Sequence, residues 1–236
     1  MRKLLIAGMV AVVATAGYGT SHDGSAIPPT KPASNAREAI LAFAEGLAKG
    51  DETLALAVVE GTPAQRAEVQ SMLKFASTIL VFRDEFIAQY GKVAWSNFND
   101  HEHKPSPVKQ GEFSGNAHFA LIQEDDLQSL RDYVVPEGKD EVFFPLPNEL
   151  QQTRVFRVAD GWLVDAGTVL PRRENADAKS FGELMEEMTS VVDRYRAAIG
   201  ADDVSSDDLD IELGRAMMEV FGFTFDGPHR FDIDSL

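Results

Sequence analysis

The chain is 236 residues long, contains no cysteine and carries a formal net charge of −16. Without thiols it has neither a disulfide framework nor a thiolate zinc site, so an apolar core must hold the fold, and a hydrophobic content of 44% is enough to build one. A surface this negative repels phosphate backbones and anionic headgroups, which argues against nucleic acid as a partner.

Residues 1–16, MRKLLIAGMVAVVATA, set Arg2 and Lys3 before an apolar run that ends in Ala14-Thr15-Ala16, the pattern of a cleaved signal peptide. The uncharged run is shorter than the roughly 20 residues that span a bilayer as a helix. No second such run follows, so the expectation is an exported protein, periplasmic or extracellular, with no membrane partner after cleavage. Its charge balance is then 20 Lys+Arg against 38 Asp+Glu, a net −18. Residues 17–34 are rich in Gly, Ser, Thr and Pro without apolar periodicity and predict a flexible linker.

Asn35 with Glu38 makes a capping box, and Ile40, Phe43, Ala44 and Leu47 then recur at helical spacing up to Gly50. Asp51 opens a short second helix that Gly61 breaks. Thr62-Pro63 with Gln65 starts a long third helix, whose stripe Val69, Met72, Leu73, Ala76, Leu80, Phe86, Ile87 and Tyr90 ends at Gly91. After Trp95 the period changes. Apolar runs separated by turn residues predict strands near 108–114, 116–123, 128–135, 141–147, 150–158 and 161–169. Pro145 and Pro147 cannot donate to a ladder and place their strand at an edge or a bulge, while Asp160-Gly161 marks a hairpin.

Helices return beyond Pro171. One follows Phe181, Leu184, Met185, Met188, Val192 and Tyr195 to Gly200, and another, capped by Ser205, carries Leu209, Leu213, Met217 and Val220. Residues 222–236 read as an irregular tail. Sixteen acids against six bases in residues 173–236 concentrate the negative charge there.

Three helices followed by strands, opening with AREAILAFAEGLAKGDETLALAVV and closing on VFRVADGWLVDAG, resemble the nuclear transport factor two-like superfamily. That superfamily includes ketosteroid isomerase, scytalone dehydratase and SnoaL-type polyketide cyclases. The resemblance covers residues 35–172. It implies an α+β fold in which N-terminal helices pack on a curved, cone-like antiparallel sheet. Residues 173–221 would form a helical extension like that of some exported bacterial members. The superfamily's isomerases pair a Tyr with an Asp inside the cone and its dehydratases and cyclases pair His with Asp, but no residue here matches either motif, and a shared scaffold licenses no activity.

Candidate chemistry therefore rests on single side chains. Asp165 alternates with Leu163 on the last strand and is a general base if that face lines the cone, or a capping carboxylate if it does not. His118, in an apolar AHFALI segment, could complete an acid/base dyad with it, against the plainer reading of a buried His bonded to a carbonyl. Tyr90 and Tyr133 could offer hydroxyls to a ligand, although buried tyrosines more often belong to the core. His101 and His103 project to one side of an extended segment and could hold a transition metal, but no third ligand is identifiable and the segment reads as a loop. The acids Asp202, Asp203, Asp207, Asp208 and Asp210 do not fit a calcium loop and suit a helix N-terminus.

No nucleophile elbow, P-loop or dinucleotide fingerprint occurs. The balance favours an exported, non-catalytic module without a cofactor, binding a small apolar ligand or an envelope protein. The alternatives are an isomerase, dehydratase or cyclase using Asp165 with His118, and a structural homodimer.

Overall fold

A computed structural model of the chain describes residues 27–98, 119, 121–145, 152–170, 179–225 and 227–236. The expected export signal lies outside these residues. No helix among them is long and apolar enough to cross a membrane.

The class is α+β, with eight α-helices and a four-stranded mixed sheet among the described residues. Helix α1 (Ala36–Lys49) starts where Asn35 accepts from the Glu38 N–H at 2.9 Å, and it ends on Gly50 at φ +64, a conformation that costs glycine nothing. Helix α2 (Glu52–Ala57) is capped by Asp51. The residues after it, Val59–Glu60, form strand β1. Helix α3 (Pro63–Tyr90) opens on the expected Thr62/Gln65 capping box with proline in its first turn, and runs 28 residues. Helix α4 (Lys92–Phe98) follows Gly91.

Helix α5 (Glu124–Asp132) occupies the segment expected as a strand at 128–135. Leu127 and Leu130, three apart, bury one side of that helix, and only Tyr133 beyond it turns to extended backbone. The expected strand at 116–123 is absent from its described part, since 119 and 121–123 carry no strand, and 108–114 lies outside the described residues. Strands β2 (Glu141–Pro145), β3 (Gln152–Val158) and β4 (Gly161–Asp165) agree with expectation, except that β4 gives way early to one helical turn, α6 (Ala166–Val169).

The sheet order is β1-β4-β3-β2, so β2, which holds Pro145, is an edge. The pair β1/β4 is parallel and the others antiparallel, so the sheet is mixed and not wholly antiparallel as expected. The register Val155↔Val164 and Val142↔Val155 puts Val142, Phe144, Val155 and Val164 on one face. These residues join Phe43 and Ile40 of α1 in the core.

Residues 27–34 are tied to the domain, so the expected flexible linker does not extend through them. Ala33 and Trp162 exchange both backbone hydrogen bonds at 2.9 Å, and Lys31 N–H reaches the Ala57 carbonyl. Arg66 adds a bond to the Pro28 carbonyl at 2.6 Å.

An aromatic cluster anchors α3. The Phe82 ring lies 5.6 Å from Phe98, 5.9 Å from Phe86 and 6.5 Å from Phe119, and each such pair adds about 0.5–1.5 kcal/mol beyond its buried area. Helix α7 (Phe181–Arg196) packs along α3, where Gly182 comes close to Glu68 and Ser71, and helix α8 (Ser206–Val220) packs on α7. Met185, Met188 and Val192 belong to the same core as the sheet and α1.

Candidate functional site

Alternation along β3 and β4 places Arg154, Phe156, Leu163 and Asp165 on the sheet face opposite the one that joins α1 in the core. Asp165 is committed there twice. One carboxylate oxygen accepts from the Gly167 N–H at 2.9 Å, capping α6, and the other accepts from Arg154 Nη1 at 3.1 Å. Arg154 also donates through Nε to Glu141 at 2.9 Å and lies over the Phe156 ring. Glu141 and then Asp165 hold its guanidinium above the usual arginine value.

The two candidate tyrosines bind backbone. Tyr133 closes α5, outside any strand, and its hydroxyl donates to the Phe143 carbonyl on the edge strand at 3.0 Å. The Tyr90 hydroxyl donates to the Val204 carbonyl and accepts from the Gly200 N–H, each at 3.1 Å, which pins the α7–α8 connection to the end of α3. Tyr90, Tyr133 and Asp165 thus take hydrogen bonds in three separate places. His118, His101 and His103 lie outside the described residues. Among the described residues no group of three or more His, Cys, Asp or Glu side chains could hold a metal ion.

The densest polar chemistry is elsewhere, on α8. Every residue from Leu209 to Met217 is buried, and three of them are charged: Asp210 (2% exposed), Glu212 (2%) and Arg215 (6%). Positions 208, 212, 215 and 219 follow helical spacing and form one charged stripe, Asp-Glu-Arg-Glu, beside the apolar stripe Leu209, Leu213, Ala216 and Val220. A strap of residues 223–236 lies over the charged stripe.

Arg215 forks onto that strap, donating through Nη2 to the Phe225 carbonyl at 2.7 Å and through Nη1 to the Gly227 carbonyl at 3.1 Å. Its Nε meets Glu219 at 3.3 Å. Glu212 accepts the Arg230 backbone N–H at 2.7 Å on one oxygen and meets His229 Nδ1 at 2.7 Å on the other. Arg230 reaches Asp208 at 3.4 Å, and Phe231 lies edge-on to Tyr195 of α7, centroids 6.1 Å apart. The strap therefore runs antiparallel to α8. Burial first, and Glu212 second, push the Tyr195 phenol above its ordinary value.

Along the other end of the α7–α8 seam runs an open groove of about 490 Å³, lined by Glu183, Glu186, Glu187, Ser190, Val191 and Val220. Lys179 places its ammonium on Glu187 at 2.6 Å.

Sequence reasoning reached the apolar stripe of α8 and missed the charged one. Its helical spacing was visible, but a charged stripe ordinarily faces solvent, and only the path of residues 223–236 reveals that this one is covered.

No family model matches the chain, and neither a curated protein nor a solved structure matches it.

Proposed function

We propose that the protein is a non-catalytic interaction module that receives a basic segment of a partner protein in the open half of the α7–α8 seam. The observation that carries this reading is the groove itself: three carboxylates, Glu183, Glu186 and Glu187, flank the apolar pair Val191 and Val220. Carboxylates around an apolar floor suit a side chain with a cationic head and a methylene stem. The Lys179 ammonium on Glu187 is a contact of the same kind made within the chain. The commitment of Asp165 to Arg154 and Gly167 supports a non-catalytic reading over one that uses Asp165 as a general base. Export of the chain, and a cone-like sheet akin to the nuclear transport factor two-like superfamily, are parts of the same proposal. The partner is then an envelope or extracellular protein.

Replacing Glu183, Glu186 and Glu187 by Lys should weaken binding of a fluorescein-labelled oligolysine peptide by at least about tenfold at low ionic strength, since charge-assisted contacts are lost. Raising salt to about 0.5 M should erase most of the difference between the two proteins. The control replaces Glu124, Asp125 and Asp132 of α5 by Lys, giving the same change in net charge at another place. Equal loss in the two triple variants would show that only overall charge matters and would end the assignment of this groove.

A further inference from the structure

The strap is held in an unusual way. Its described residues are all exposed or half-buried, so it adds little to the core. Its hold comes instead from two buried charges on α8, and both address main chain: Arg215 takes two carbonyls and Glu212 takes an N–H. Side chains supply the selectivity. The His229 ring meets Glu212, the Arg230 guanidinium meets Asp208, and Phe231 meets Tyr195. Covering a helix needs no buried charge, because apolar residues of similar volume do it at equal or lower cost. Charged side chains aimed at the backbone of an irregular segment, with pockets for alternate side chains, are the signature of peptide recognition.

We infer that the Asp208-Glu212-Arg215 stripe of α8, with Tyr195 of α7, is a recognition site for a partner peptide with a His-Arg-aromatic core. Residues 225–231 occupy it in cis as a displaceable ligand. The strap leaves α8 at Gly222, at φ +84, which ends the helix and lets the chain fold back along it. Tethering keeps the strap at an effective concentration in the millimolar range, so the site stays filled until a tighter or more abundant segment replaces it. This site is separate from the groove at Glu183, Glu186 and Glu187 and does not depend on the function proposed for it.

The probe is a fluorescein-labelled peptide with the sequence of residues 225–236, FDGPHRFDIDSL. The full chain with His229→Ala and Phe231→Ala, whose own strap is loosened, should bind it at least about tenfold tighter than the wild-type chain does. Adding Glu212→Gln to the loosened chain should cost about tenfold, the effect of losing one charge-assisted hydrogen bond. A peptide with alanine at the three core positions should not compete. Equal binding to wild-type and loosened chains, or no binding to a loosened chain that keeps its helical circular dichroism, overturns the inference.

Hydrogen exchange on the unmodified protein gives a second test that needs no variant. Amides of residues 223–231 should exchange while α8 stays protected, because a displaceable strap opens without unfolding its site. Strap and α8 exchanging together would make the strap an integral layer of the fold and would also overturn the inference.

Discussion

Tyr195 sits where two arrangements meet. Its ring is a core residue of α7, and its far side receives Phe231 of the strap. Burial, reinforced by Glu212, holds its proton more tightly in the folded chain than in the unfolded one, with Arg194 opposing. Above about pH 10, the ordinary tyrosine value, the unfolded chain gives up this proton first and binds fewer protons than the native state. Stability then falls as pH rises, with the contribution complete below that value and lost through the higher folded one. Tyr195→Phe keeps the ring and deletes the titration. Urea midpoints measured from about pH 8 to 11 should therefore decline less steeply in the variant than in the wild type. Parallel declines would mean that Tyr195 ionises as freely in the fold as out of it. Nothing in the sequence around Tyr195 announces this, because its two main perturbants are burial by the whole fold and a carboxylate on another helix.

At the level of elements, what could be read from the sequence was whatever is settled within a few residues. The Asn35, Asp51, Thr62, Ser180 and Ser205 caps each satisfy donors that a helix start leaves open, so five helices declared their own beginnings. Helix α5 did not, because its N-cap is Gln123, a residue with no strong cap preference, and its last residues run into β-prone Tyr133, Val134 and Val135. Strand β1 was hidden for another reason: two residues show no period, and their pairing partner Val164-Asp165 lies about a hundred positions away. The same distance hides the strap site, since no local rule places residues 225–231 over 208–219. Caps are also where element stability can be tested. Ser180 accepts from the Glu183 N–H at 3.0 Å while Glu183 takes the Ser180 N–H in return. Ser180→Ala should cost about 1 kcal/mol in chemical denaturation and Ser180→Thr much less, since threonine restores the acceptor. A loss of only a few tenths for the alanine variant would mean that α7 is held by packing on α3 alone.

For the whole molecule, the question is whether the helices beyond residue 179 unfold with the sheet or apart from it. Met185, Met188 and Val192 share one continuous core with Phe43, Phe82 and Val164. Arg196 binds Glu85 of α3 through two hydrogen bonds, at 2.9 and 2.6 Å, and Glu85 followed by Asp193 raises the guanidinium above its usual value. Being partly solvated, that fork adds at most about 1 kcal/mol, so coupling rests on the apolar contact between α7 and α3. A shared core of this kind predicts one cooperative transition. The two tryptophans offer a direct check, because Trp95 belongs to α4 and Trp162 to β4, so fluorescence reports the α3–sheet body alone. Far-ultraviolet circular dichroism also reports α7 and α8. The two signals should give the same urea midpoint in the wild type, and Met188→Ala, which cuts the core on α7, should lower both midpoints together by about 2–5 kcal/mol of stability. A variant in which the dichroism falls first while tryptophan emission holds would show that α7 and α8 form a separate unit resting on the body.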